Sequence, residues 1–183
     1  MTNPARPGRG DAWTVDDLQG LPEDNQVYEI FDGSLLVSPH ADVFHGAVAN
    51  RLRRLLDRQA PASVLVGQDI GVSAKRSSYF VPDLFVAHES AMDRGGAALD
   101  PVDVLLVVEV ISPSKAGRDL VLKRHEYAAA GIPLYWLVEP RKQTLTVLVN
   151  GPGGYREQAA VGTGEVYRSE QPFPLTLALA DIF

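Results

Sequence analysis

The stretch Val104-Leu105-Leu106-Val107-Val108-Glu109-Val110-Ile111-Ser112-Pro113-Ser114 decides the fold. It is an apolar run rich in β-branched residues, closed by Ser-Pro-Ser, and it reads as a strand buried on both faces. Glu109 is the anomaly within it. An ionised carboxylate in such a setting costs several kcal/mol unless a cation, a hydrogen-bond network or a proton offsets it. The group that compensates Glu109 is where function is expected.

Downstream of this strand the pattern predicts a helix from about residue 117 to 130. Ser112 or Ser114 opens it, Leu120, His125 or Tyr127 and Ala128 face inward, and Gly131 stops it. Pro133-Leu134-Tyr135-Trp136-Leu137-Val138-Glu139-Pro140 then reads as another buried strand. Strand, helix and strand form a βαβ unit, which implies a parallel pair with a right-handed crossover. Beyond it, strands near 144–149, 155–160 and 175–177, with a Gly-Pro-Gly-Gly turn at 151–154, predict an antiparallel extension.

Upstream, Tyr79 to Ala87 reads as a strand with Pro82 inside it, marking an edge, a bulge or a bend, because proline cannot donate to a ladder. Val64 to Val72 reads as the strand before it, and His88 to Asp100 as a loop or weak helix. From about Asp42 to Gln59, Val43, Ala47, Val48, Leu52, Leu55 and Leu56 recur at helical spacing, leaving Arg51, Arg53, Arg54 and Arg58 on or near the opposite face. Val27 to Ser38 is a hairpin around Asp32-Gly33, a pair that accepts positive φ. A short helix starts near Thr14. Residues 1–12 read as a disordered tail and 13–183 as one α/β domain.

Composition narrows the chemistry. The 183 residues include no cysteine, which excludes disulfides, thiol nucleophiles and thiolate metal sites, so any metal is held by oxygen or histidine nitrogen. The N-terminus lacks the apolar core of a signal peptide or anchor, and no apolar run is long enough to span a bilayer, so a soluble cytoplasmic protein is the default. The net charge of −6 argues mildly against a generic nucleic-acid-binding surface. The arginines Arg51, Arg54 and Arg58 are the best candidates for phosphate contacts, although a run of this kind is more often simply a solvated helix face. The serines stand in no nucleophile elbow and the glycines in no phosphate cradle.

Asp83 and Glu109 lie near the ends of neighbouring predicted strands. Adjacent strands are about 4.8 Å apart, so the two carboxylates can share a divalent cation, Mg²⁺ or Mn²⁺. Mg²⁺ needs only one or two protein carboxylates, keeping waters and substrate phosphate oxygens for the rest. A bound ion of this kind activates water and stabilises charge at phosphorus. Asp119 and Lys123, four apart on the following helix, form an exposed ion pair on spacing alone. Gln68, on the strand before Asp83, either faces the same site or is an edge residue.

Taken together, Pro82-Asp83, Glu109-Val110-Ile111-Ser112-Pro113-Ser114, Asp119, Lys123, Tyr127, Gly131 and Tyr135-Trp136-Leu137-Val138 resemble the Uma-type restriction endonuclease family of the PD-(D/E)XK nuclease superfamily. Tyr28 to Gly33, Pro39 and His45 fit the same pattern, so the likeness covers roughly residues 13 to 183. The resemblance implies a restriction-endonuclease-like mixed sheet flanked by helices, Mg²⁺-dependent phosphodiester hydrolysis of DNA, and a homodimer. It makes Asp83 and Glu109 metal ligands. The superfamily's lysine, two residues after the second acid, is replaced here by Ile111, and the resemblance moves its cationic role to Lys123. Glu29 would be a further acid of the metal shell or an exposed strand residue. His45 reads as a helix-surface or packing histidine more readily than a catalytic one.

Two further functional classes stand beside a nuclease. A non-catalytic nucleic-acid-binding or assembly domain would keep the fold and leave Glu109 hydrogen-bonded or neutral. A small-molecule metallohydrolase is disfavoured by the lack of a histidine cluster.

Overall fold

The computed structural model describes residues 12–40, 42–111 and 119–183, without the side chains of residues 119 and 120. The chain enters through a turn of 3-10 helix at Val15–Gly20. Thr14 closes its start: the Thr14 N–H and hydroxyl both donate to Asp17 Oδ2 at 2.7 Å. The strands β1 (Gln26–Phe31) and β2 (Ser34–Pro39) form the expected hairpin. Asp32 and Gly33 both have positive φ, 45° and 78°, as a tight hairpin turn demands.

Helix α1 (Val43–Asp57) begins at Asp42, whose carboxylate accepts the His45 N–H at 2.9 Å. It buries Val48, Ala49, Leu52 and Leu56. Complete burial of each leucine contributes about 1.5–3 kcal/mol. Val43 departs from the inward position that periodicity predicts. It is 91% exposed, and the residue of the first turn that faces the sheet is His45.

The two strands expected at 64–72 and 79–87 each divide. The structure has β3 (Val64–Gly67), β4 (Val72–Lys75), β5 (Ser78–Phe80) and β6 (Leu84–His88). The chain leaves the large sheet after β3, makes a β4–β5 hairpin in a second sheet, and returns as β6. The breaks have local causes. Asp69 turns at φ 60°, and Pro82 interrupts the ladder. Two glycines make room for rings here: the Phe85 ring occupies the space a Cβ on Gly67 would need, and the Tyr79 ring does the same at Gly71.

The segment at 88–100 carries a single short turn of helix, α2 (Ala91–Arg94), and then Leu99 bridges to Val72. Strand β7 (Val104–Val110) is the buried centre. The helix that follows is described from a π-helical turn, Asp119–Lys123, into α3 (Arg124–Ala129). Its start, with Ser112, Ser114 and Lys115, lies outside the described residues, as do the side chains of Asp119 and Leu120. Tyr127 points inward and His125 outward, and Gly131 follows at φ 83°. Strand β8 (Leu134–Glu139) is parallel to β7, as the βαβ reading expects. Strands β9 (Thr144–Val149) and β10 (Arg156–Gly162) continue the sheet antiparallel. The last expected strand has a partner that the pattern did not reveal: β11 (Val166–Ser169) and β12 (Leu175–Ala178) form a separate ribbon.

The large sheet therefore runs β10-β9-β8-β7-β6-β3 and the small one β2-β1-β5-β4. Two apolar clusters lie on opposite faces of the large sheet. One packs Val48, Leu52 and Leu56 of α1 and Leu175, Leu177 and Ile182 of the C-terminal segment against Val108 and Trp136. The other packs Phe80 and Tyr127 against Phe85, Val107 and Tyr135. The architecture is mixed α/β, a mixed sheet flanked by helices with an N-terminal hairpin and a C-terminal antiparallel extension. Among the described residues no helix is long and apolar enough to cross a membrane.

Candidate active site

Strand register brings the two expected acids together. Leu84 pairs with Val108 and Phe85 with Val107, antiparallel, so the next pair outward is Asp83 with Glu109. Directly opposed residues of an antiparallel pair share a face. Asp83 sits immediately after the proline that ends the small-sheet excursion, and Glu109 is the penultimate residue of β7. Both line one cavity of about 120 Å³, together with Glu29, His45, Gln68 and Lys123. The set is therefore drawn from both sheets and two helices.

Glu109 is 3% exposed, and its compensation is now visible. Its Oε1 accepts from Lys123 Nζ at 2.9 Å and from the Tyr127 hydroxyl at 3.3 Å. Burial, and then the negative charge of Glu109, push the Tyr127 phenol well up, so it stays a neutral donor. Lys123 is itself 5% exposed, so it is not the surface lysine that helix spacing suggests, while the side chain of Asp119 lies outside the described residues. Its Nζ also lies 2.9 Å from Glu29 Oε1. Glu29 is buried, and the same Oε1 accepts the Val81 N–H at 3.0 Å. The reading of Glu29 as an exposed strand residue is therefore overturned.

Asp83 is tied in at one oxygen. Its Oδ2 accepts the Val110 N–H at 2.7 Å and lies 3.1 Å from His45 Nε2. His45 Nε2 is also 2.7 Å from the Val110 carbonyl. Both of these neighbours are acceptors, so the ring carries a hydrogen on Nε2. His45 is neither a surface histidine nor remote from the acids, because the first turn of α1 lays it across the end of β7. Glu29 at Val81 and Asp83 at Val110 do the same local work: each carboxylate satisfies a backbone donor where a strand stops.

Ile111 shares the face of Glu109, two residues on, and packs against the apolar cluster around Tyr127. Its N–H continues the β8 ladder, donating to the Val138 carbonyl at 2.7 Å. The cation comes instead from the helix, as Lys123. Gln68 reaches the cavity, its amide donating to Asp69 Oδ2 at 3.0 Å. The arginines do not reach it. Gly46, Ala49 and Asn50 of α1 line the cavity, whereas Arg54 and Arg58 continue the row of Gly46 and Asn50 one and two turns further on, outside its lining. Arg51 donates to the Phe183 carbonyl at 2.8 Å instead.

Asp69, His40 and Asn50 line the cavity without having been singled out by sequence. Only Asp69 carries a usable signal, an acid followed closely by glycine between two apolar runs, which is the grammar of a turn.

A comparison with curated proteins finds no match. A solved structure described as "a putative nuclease belonging to DUF820" from Anabaena variabilis is similar, with a TM-score of 0.69 and 19% identity, covering 93% of this chain and 97% of that one. At that identity the likeness is one of fold. The Uma2 family, described as "Putative restriction endonuclease", matches residues 15–180. With nearly the whole chain inside that match, the protein belongs to the Uma2 family.

Proposed function

We propose that this protein is an endonuclease that hydrolyses DNA phosphodiester bonds with the help of a divalent cation, Mg²⁺ or Mn²⁺. The observation that carries this reading is Lys123 Nζ at 2.9 Å from Glu109 Oε1, beside a cavity that Asp83 also lines. Acid, acid and lysine meet although Ile111 stands where the superfamily has its lysine.

The donors fit a hard cation. Asp83 Oδ1 has no hydrogen-bond partner among the described residues, and its side chain is partly exposed toward the cavity. Asp83 and Glu109 would hold the ion, with water and phosphate oxygens as its other ligands. When bound, it supplies activation of water and stabilisation of charge at phosphorus. Lys123 stabilises charge on the scissile group or orients the attacking water. Glu29 and Tyr127 hold Lys123 and Glu109 in place, and His45 fixes the orientation of Asp83. A homodimer would set two Arg51, Arg54 and Arg58 faces beside one substrate and offset the acidic net charge.

The test is cleavage of supercoiled, linear and single-stranded DNA with Mg²⁺ by the wild type, Asp83→Ala and Glu109→Ala. Cleavage by the wild type that both substitutions abolish supports the assignment. Cleavage that survives both removes it.

One observation favours a second reading, a non-catalytic nucleic-acid-binding or assembly domain. Glu109 Oε1 is already compensated by Lys123 and Tyr127, with no ion required. Under that reading, calorimetry finds no Mg²⁺ binding that depends on Asp83 or Glu109.

A further inference from the structure

Beside the candidate site lies a second cavity of about 380 Å³, a size typical of small-ligand sites. The two share Val27, His40, Asp69 and Val81, and so are neighbours across a common wall. Their chemistry differs. Among the described residues the second cavity has no lysine or arginine in its wall, and two carboxylates, Glu23 and Asp69, disfavour a phosphate there.

What the second cavity has is aromatic surface. Ile30 pairs with Tyr79, and Tyr28 stands two residues from Ile30, so Tyr28 and Tyr79 share one face of the small sheet. Both rings are set in place. The Tyr79 ring fills the space beside Gly71, and the Tyr28 hydroxyl donates to Asp24 Oδ2 at 2.9 Å. Leu18 and Leu21 add apolar wall, and the amides of Gln19 and Gln26 add donors and acceptors.

We infer that this cavity receives an unpaired nucleobase of the strand whose phosphate lies in the candidate site. The inference rests on the nucleic-acid reading of that site. Rigid aromatic rings offer a stacking surface at low entropic cost, and every base has a π-face to place on it. The amides and carboxylates match the donor–acceptor edge of a base, and the shared wall places the base next to its own phosphate. A stacked, paired base cannot enter such a cavity, so the strand must be single or the base extruded from the duplex. Single-stranded or mismatched DNA is therefore the preferred substrate over perfect duplex.

The experiment titrates adenosine, guanosine, cytidine, thymidine and, separately, inorganic phosphate into the metal-free full chain, following the tyrosine ring signals by NMR. The expected result is that at least one nucleoside shifts Tyr28 and Tyr79, that phosphate alone does not, and that Tyr79→Leu weakens the effect about five- to hundredfold while Tyr79→Phe retains it. Tyr28→Leu serves the same purpose if Tyr79→Leu fails to fold. Nucleosides that leave both rings unmoved, or shifts that persist in the leucine variants, overturn the inference. The readout needs neither metal nor turnover. Nucleoside binding by a protein that cleaves nothing removes only the catalytic reading, whereas cleavage without nucleoside binding removes only this base site.

Discussion

Lys123 Nζ lies 2.9 Å from Glu109 Oε1, fourteen residues earlier in the chain, and 2.9 Å from Glu29 Oε1 in the first hairpin. One buried ammonium thus serves two buried carboxylates that belong to different sheets. The ion triad fastens the small sheet to the central strand at the place where the candidate site opens.

Replacing Lys123 by Met removes the ammonium that lies between Glu29 and Glu109. Breaking a buried pair from one side costs about 3–5 kcal/mol, so urea unfolding should show a loss of that order. Adding Glu29→Gln should recover part of it, since the two changes remove one interaction and are not additive. A loss below about 1 kcal/mol would mean that water already reaches the triad.

His45→Ala removes the donor to the Val110 carbonyl and the neighbour of Asp83 Oδ2. Leaving a buried acceptor unpaired costs about 1–3 kcal/mol of stability. With Asp83 less firmly oriented, Mn²⁺ affinity should fall about ten- to hundredfold. Manganese titration by electron paramagnetic resonance measures the second effect, and an unchanged affinity would show that His45 serves the fold alone.

Gly67→Ala places a methyl group where the Phe85 ring stands. Phe85 is fully buried between β3 and β7 and has little room to yield. Overpacking of this kind costs about 1–3 kcal/mol, and at this chain length each kcal/mol lowers the melting temperature by about 2–4 °C. Calorimetry of the variant with and without Phe85→Leu should show the leucine relieving the cost.

Asp17 gives a pH signature. The Thr14 hydroxyl and then the Thr14 N–H hold its carboxyl below the ordinary value of 3.8. A lowered carboxyl pKa contributes stability above the unfolded value and loses it as the pH falls through the folded one. The stability difference between wild type and Asp17→Asn should therefore be constant near neutrality and shrink below about pH 4, as followed by acid titration of the unfolding midpoint. A difference that does not change with pH would mean that the charge on Asp17 adds nothing to the cap beyond what a neutral amide supplies.

Several features were legible because their causes are local. Asp32-Gly33 specifies a tight turn wherever it stands between two strands, and the apolar runs at 104–111 and 133–139 can only be buried strands. The divided strands were not legible. Residues 64–72 and 79–87 carry apolar residues throughout, and nothing in that pattern says which part pairs with which sheet. The sequence left His45 open between a surface and a packing role and Glu29 between a metal-shell acid and an exposed strand residue for a similar reason: one polar side chain on an element has no periodicity, and its burial depends on partners 65 and 52 residues away.

By itself the sequence determined the buried central strand, the parallel crossover after it and the pair Asp83 and Glu109 as the anomaly to be explained, since burial pattern and turn chemistry act over a few residues. Only the tertiary structure decided what compensates Glu109. Lys123 meets carboxylates on two distant strands, Glu109 and Glu29, which helix spacing cannot reveal. A buried charge settles on partners that are desolvated with it, because there the same separation is worth several times more than in water.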